Sequence, residues 1–269
     1  MPDVYATITQ ADRSVQESLA DIIELRAADP RYQAMVRNYL SAIAFAPGTR
    51  ALEIGCGTGW VTRTLAQWPH VAYAVGVDPS VVFIERARQL AAGLPNIEFE
   101  VADGRELGLN SESFDAVVIH TTMSHVPQPE RLVEQAFRVL RPGGWFAVFD
   151  GDYSTATVAK NEFDPLQVCV AAFRTNFVND SWLVRRLPQL VSSGGFEIVA
   201  MNSHGYVEAP TGAYMLTWID RGADVLAQSD CITVETSKAL KNEARRRSDE
   251  SKWFGHIAFA SLISRKPAV

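Results

Sequence analysis

Cysteine is scarce in this 269-residue sequence. The three copies, Cys56, Cys169 and Cys231, are widely spaced, odd in number and form no C-x-x-C, so they point to neither a disulfide framework nor a zinc site, and no metal is expected. Positive charge is also short. With 25 Lys and Arg against 31 Asp and Glu the net charge is -6, which argues against a protein built to coat nucleic acid. The one basic run, Arg245-Arg246-Arg247, is offset by Glu243, Asp249 and Glu250 and reads as a solvated helix face. No apolar run is long enough to span a bilayer. Residues 1–14 lack the basic flank and apolar stretch of a signal peptide, and Asp3 and Asp12 interrupt them, so a cytoplasmic location is expected. Internal repeats and low-complexity linkers are absent too.

Hydrophobic residues make up 47% and charged residues 21%, the composition of a globular protein. The length fits one α/β domain over 1–269 with an elaborated lid. Ser14-Val15-Gln16-Glu17 has a capping-box pattern, and Val15, Leu19, Ile22 and Ile23 follow at helical spacing, predicting a helix to about Ala28. A second amphipathic segment carries Tyr32, Met35, Val36, Tyr39, Leu40 and Ile43, so residues 1–46 form a helical cap. From Arg50 short apolar runs alternate with helical segments, the pattern of a parallel sheet with crossover helices. Strands are predicted at Arg50–Ile54, Val71–Val77, Ile97–Val101, Phe114–Ile119 and Trp145–Phe149, then at Phe196–Met201 and Ile257–Ser264. In such a sheet ligands bind at the carboxyl edge. The stretches 151–181 and 202–255 fall outside the alternation and are expected to be lid insertions shaping a substrate site, the second with a helix over Val234–Arg247 behind Thr233.

The strongest local signal is Glu53-Ile54-Gly55-Cys56-Gly57-Thr58-Gly59-Trp60, a strand entering a three-glycine turn and then a helix. Trp60 stands where a dinucleotide fingerprint would carry its third glycine, so the pattern is G-x-G-x-G instead. It resembles the first motif of class I S-adenosylmethionine-dependent methyltransferases. The resemblance continues in order through Val77-Asp78-Pro79-Ser80, Ala102-Asp103-Gly104, Ser113-Phe114-Asp115 and Leu140-Arg141-Pro142-Gly143-Gly144-Trp145, covering a cofactor-binding core at 50–150. The sequence looks most like the small-molecule subgroup of ubiquinone and menaquinone biosynthesis.

That resemblance implies a doubly wound, seven-stranded, mostly parallel sheet of Rossmann-like methyltransferase fold, with the seventh strand antiparallel beside the fifth. It also implies S-adenosylmethionine as cofactor, held by Glu53, Gly55, Cys56, Gly57, Gly59, Asp78, Pro79, Asp103, Gly104 and His120. Asp78 would accept both ribose hydroxyls, Asp103 would reach the adenine amino group, and His120 would contribute its main chain. Asp78 is expected to be solvated at the loop mouth and Cys56 merely to be small, while Arg31 and Arg37 are read either as partners of the methionyl carboxylate or as surface charges.

Methyl transfer from a sulfonium releases a neutral thioether, so a base is needed only where the nucleophile must lose a proton. His125, Asp150, Asp152 and Tyr153 lie at the mouth of the sheet, and His125 and Asp152 are the catalytic candidates. Each has a plainer reading: His125 as a helix cap, Asp150 and Asp152 as solvated turn residues. Trp182, Tyr206, Tyr214 and Trp218 suggest aromatic pocket walls, or core packing. The leading expectation is transfer of methyl to oxygen, carbon or nitrogen of a small, apolar or aromatic metabolite. The partners expected are that acceptor and, at most, a second copy of the chain in a homodimer, without nucleic acid or membrane insertion. A cyclisation or elimination on the same fold, and a module that only senses the cofactor, are the alternatives.

Overall fold

The computed structural model describes residues 3–268. Helices α1 (Arg13–Ala27) and α2 (Pro30–Leu40) precede strand β1 (Thr49–Ile54). Then follow α3 (Trp60–Ala66), β2 (Val71–Asp78), α4 (Val81–Leu90), β3 (Ile97–Val101), β4 (Phe114–His120), α5 (Pro129–Val139) and β5 (Leu140–Thr157). The remainder is α6 (Gln167–Phe177), α7 (Leu187–Ser193), β6 (Glu197–Glu208), α8 (Tyr214–Gln228), α9 (Val234–Asp249) and β7 (Gly255–Arg265). Among the described residues no helix is long and apolar enough to cross a membrane.

The seven strands form one sheet in the order β3-β2-β1-β4-β5-β7-β6. The first five are parallel, and β7 runs antiparallel to both β5 and β6, as the resemblance implied. Successive side chains in the middle strands feed opposite cores, because both faces are covered by helices. Leu52, Val117, Ile119, Phe146 and Val148 pack with Leu132, Val133, Leu187 and Val191 on one face. Ala51, Val118, Ala147 and Phe149 pack with Tyr39, Leu65, Phe173 and Trp218 on the other.

Local chemistry sets the helix starts, with one departure from expectation. Asp29 caps α2 by accepting from the Arg31 N–H, with Pro30 in the first turn, and Ser80 caps α4 by accepting from the Phe83 N–H. At α1 the capping box is not used: Asp12 holds the N-cap position without a side-chain bond and Ser14 lies inside the helix. Gln16 is committed elsewhere, donating to the Ala11 carbonyl and accepting from the Ser80 hydroxyl, which ties residues 11–16 to the end of β2.

Two strands run past their expected ends. Asp150 suggested the end of β5, yet it pairs with Ala260 of β7, and pairing continues through Gly151 and Asp152. On the other flank β6 pairs with β7 as far as Glu208. Residues 151–157 and 202–208, expected in the insertions, therefore lengthen the sheet. The rest of those stretches supplies α6, α8 and α9, with Phe173 of α6 stacked on Trp218 of α8 at 4.6 Å. Arg245, Arg246 and Arg247 on α9 pair with Asp220, Glu243, Glu250 and Asp164, a paired helix face.

Candidate active site

Gly55, Gly57 and Gly59 all have positive φ, at 74°, 53° and 77°, a region that favours glycine. What a Cβ would meet separates their roles. At Gly55 it would collide with Thr122 and at Gly59 with the Phe99 ring, whereas at Gly57 the nearest atom is Ile23 Cδ1 at 3.4 Å. Gly57 thus presents bare backbone to the cavity it lines, with Ile23 at ordinary contact distance from where a Cβ would stand. Gly57→Ala is expected to keep the fold, at about 1 kcal/mol of backbone strain, while weakening any ligand lying on that backbone roughly tenfold. Calorimetric titration with S-adenosylhomocysteine beside a melting curve checks this, and unchanged affinity would contradict the placement.

The turn is held from two sides. Asp78 at the end of β2 accepts from the Gly57 and Ser80 N–H groups, each at 2.9 Å. Glu24 of α1 accepts from the Thr58 hydroxyl at 2.5 Å and pairs with Arg63 at 3.2 Å, docking α1 over the turn. Asp78 is not solvated as expected: it is only 7% exposed, and burial pushes its pKa up to about 6. The reason is that its carboxylate is part of the turn's own framework. Glu53, buried beneath the turn, accepts from Thr62, and burial lifts its pKa to about 8. Cys56 is buried, with its thiol pushed well up by the same cause, which leaves no reactive thiolate.

Pro79, Asp103 and Gly104 border a second recess of about 530 Å³, together with Tyr5, Ile8 and Leu132. A Cβ at Gly104 would strike Ile54. Asp103 sits at the exposed rim in a two-pronged pair with Arg105, which holds its carboxyl below the ordinary value.

Past β4 the chain turns at Thr121, a β-branched residue at φ 47°. The His120 ring is buried, stacked on Phe149 at 4.8 Å, and hydrogen-bonded to Tyr32 at 2.6 Å and Tyr39 at 3.1 Å. Burial, then the charge of Arg26, drives its pKa well down, leaving a neutral imidazole. His125 is held differently. Its Nδ1 lies 2.7 Å from Asp3 Oδ2 and its Nε2 lies 3.3 Å from the Tyr153 hydroxyl. Asp3 also accepts from the Tyr5 and Asn179 N–H groups, so this buried carboxylate is fully engaged.

One cavity of about 1030 Å³ joins these features. It is lined by the glycine turn, Glu53 and Asp78, by Arg26, Tyr32, His120, His125 and Tyr153, and by an aromatic wall of Phe173, Tyr214 and Trp218 with Arg221 beside it.

A methyltransferase-domain family pattern matches residues 52–148. The ubiquinone biosynthesis O-methyltransferase of Xanthomonas oryzae pv. oryzae is 30% identical over 212 residues, covering 78% of this chain and 76% of that protein. This chain belongs to the class I S-adenosylmethionine-dependent methyltransferases. Against other curated relatives the match is partial, and the chain spans 33% to 60% of their length. In fold, this methyltransferase-family chain matches the [4+2]-cyclase SpnF with a TM-score of 0.56 at 21% identity, over 88% of this chain and 82% of that one. It likewise matches geranyl diphosphate C-methyltransferase from Streptomyces coelicolor A3(2), TM-score 0.55 at 14% identity, over 87% of this chain and 76% of that one.

The family's cofactor fits the residues present. Gly57 leaves space where a side chain would intrude, and a buried carboxylate stands at the end of β2. Arg26 lines the cavity with no hydrogen-bond partner but the Thr121 hydroxyl among the described residues. This methyltransferase-family site departs from expectation at several positions. Neither Arg31 nor Arg37 reaches the cavity: Arg31 is spent on Asp29 and the Val207 carbonyl, and Arg37 bonds Gln33 at the surface. Arg26 is the α1 arginine that does line it, and its position one turn beyond Ile22 and Ile23, on an apolar helix face, was the overlooked signal. Asp152 does not line the cavity. It bonds Ser154 and pairs with Arg185 at 3.0 Å, because period-two alternation sends it away from Tyr153. Asp150 is fully buried, accepting from Ser124 twice and from the Gly151 N–H, so it braces the loop after β4. His125 caps no helix, since Gln128 holds the N-cap position of α5. Tyr214 and Trp218 face the cavity, whereas Trp182 is half-exposed under Arg185 and Tyr206 bonds Asp29 and Glu208.

Proposed function

We infer that the chain transfers the methyl group of S-adenosylmethionine to a proton-bearing nucleophile, foremost a hydroxyl, on a small apolar or planar molecule. The observation that carries this reading is the single cavity joining the glycine turn and Asp78 to a chamber walled by Phe173, Tyr214 and Trp218. When bound, the cofactor supplies a methyl group on a sulfonium whose departure as a neutral thioether needs no acid. Asp78 would accept the ribose hydroxyls, the Gly57 face would lie against the ligand, Tyr5 and Ile8 would cover the recess beside Asp103, and Arg26 would hold the methionyl carboxylate. Tyr153 and His125 line the same cavity, Tyr153 against Trp218 and His125 against Tyr5. If His125 donates Nδ1–H to Asp3, its Nε2 is left as the acceptor for the nucleophile's proton. Alignment and exclusion of water are the remaining tasks.

The defining test is formation of S-adenosylhomocysteine, with tritium passing from labelled cofactor to an acceptor in a screen of hydroxylated small molecules. A product formed without S-adenosylhomocysteine would sink the transfer reading and leave the cyclisation or elimination alternative.

Acidity should act on cofactor binding and on the fold in opposite directions. Between its ordinary value of 3.8 and about 6, Asp78 holds a proton in the folded, ligand-free protein that the unfolded chain has lost. This carboxyl therefore favours the fold in acid, and the advantage disappears as pH rises through about 6; Glu53 behaves likewise up to about 8. Binding needs the ionised acceptor, so affinity for S-adenosylhomocysteine should drop by up to roughly tenfold per pH unit below about 6. Titrations from pH 5 to 8 read this directly; a flat profile would remove Asp78 from the ribose.

A further inference from the structure

Helix α8 carries Tyr214, Trp218 and Arg221 at spacings of four and three, which puts them on one face, and all three line the cavity. The acids of the same helix are already engaged, Asp220 with Arg245 and Asp224 with Lys241, both from α9. Arg221 makes no ion pair and no hydrogen bond among the described residues. Its Nη2 is buried without a partner among those residues. The guanidinium instead lies over two rings, with its carbon 4.0 Å from the Phe177 ring centroid and 5.0 Å from that of Phe173. Cation–π contact leaves the N–H groups of a guanidinium unspent, and their planar fork suits a two-pronged contact with an oxyanion.

A partly buried guanidinium with one N–H group shut away from any partner is unfavourable and calls for an explanation. The cavity's own carboxylates do not supply one. Asp78 and Glu53 belong to the glycine turn, and Glu53 is tied to Thr62. Nor does the cofactor, on the reading above, since its carboxylate goes to Arg26, whose guanidinium lies over Tyr32 and Tyr214, whereas that of Arg221 lies against Phe173 and Phe177. Its field nevertheless reaches into the cavity. Burial raises the pKa of the Tyr5 hydroxyl, and the largest opposing pull comes from Arg221.

We propose that the methyl acceptor carries an anionic oxygen group, carboxylate or phosphoryl, which Arg221 binds while the acceptor's planar body packs against Tyr214, Trp218 and Phe173. This deepens the methyl-transfer reading and rests on it. Arg221 sets specificity; it has no part in moving the proton.

The test uses the full chain saturated with S-adenosylhomocysteine and titrated calorimetrically with matched probes: 4-hydroxybenzoate against 4-hydroxybenzamide, cinnamate against cinnamamide, and phenyl phosphate against phenol. In at least one pair the anion should bind roughly 10- to 100-fold more tightly than its neutral partner. Arg221→Gln should reduce that ratio to about two or less and Arg221→Lys should restore part of it, with affinity for S-adenosylhomocysteine unchanged in both. Whichever of the acids and phenyl phosphate shows the larger ratio identifies the oxyanion. No preference in any pair, no binding by any anion, or a preference that survives Arg221→Gln overturns the proposal. The two readings fail separately. If S-adenosylhomocysteine binds and no anion is preferred, the subsite is wrong and the cofactor site stands. If S-adenosylhomocysteine does not bind but titration of the free protein still shows the Arg221-dependent preference, the subsite stands and the cofactor reading falls.

Discussion

Asp78→Ala is expected to weaken S-adenosylmethionine and S-adenosylhomocysteine alike, by roughly 30- to 1,000-fold. Two hydrogen bonds to an ionised acceptor are lost, at about 2–4 kcal/mol together. The two ligands should suffer equally because they share the ribose. The substitution also strips the Gly57 and Ser80 N–H groups of their acceptor, so the ligand-free protein should lose stability as well, by about 1–3 kcal/mol, less whatever is regained from removing a buried charge. Asp78→Asn keeps one carbonyl oxygen for the turn and separates the two effects. It should restore much of the melting temperature but little of the affinity. Wild-type affinity in both variants would take the ribose contact away.

His125→Ala should lower turnover about 100-fold or more while leaving cofactor affinity within a factor of about two. The reason is geometric: Asp3 holds Nδ1, and Nε2 is directed at Tyr153 in the cavity, where a nucleophile's proton would arrive. The Asp3 carboxylate keeps two N–H partners when the ring is gone, so the N-terminal segment should stay in place. Asp3→Asn is the informative companion. It keeps the packing but weakens the bias toward an Nε2 lone pair, and should shift the pH profile of turnover as well as reduce its height. Undiminished turnover in His125→Ala would assign the ring to packing against Tyr5, on which it rests at 4.8 Å.

The parallel core was legible because its signals are local. Glu53 to Gly59 is a contiguous strand and turn, and Asp78 and Asp103 sit at the ends of strands that periodicity alone locates. The extension of β5 was not legible, since Asp150 looks like a turn residue until Ser124, 26 positions earlier, is seen to satisfy it. The neighbourhood of the proposed base is of the same kind. Asp3 meets His125 across 122 positions, and Arg26 reaches Thr121 across 95. Arg221 carried a weak trace in its spacing from Tyr214 and Trp218, but only the cavity shows that the face they share is not simply core.

The sheet order has a consequence for how the chain is made. β5 and β6 are not bonded to each other; each is paired through β7, whose residues follow them in sequence. Until residues 255–265 emerge during synthesis, β6 has no strand beside it and the far side of β5 is an open edge, the arrangement most prone to pairing with a neighbouring chain. Ribosome-bound chains stalled just short of residue 255 should therefore be the species that captures chaperones, and release of the last strand should end that capture.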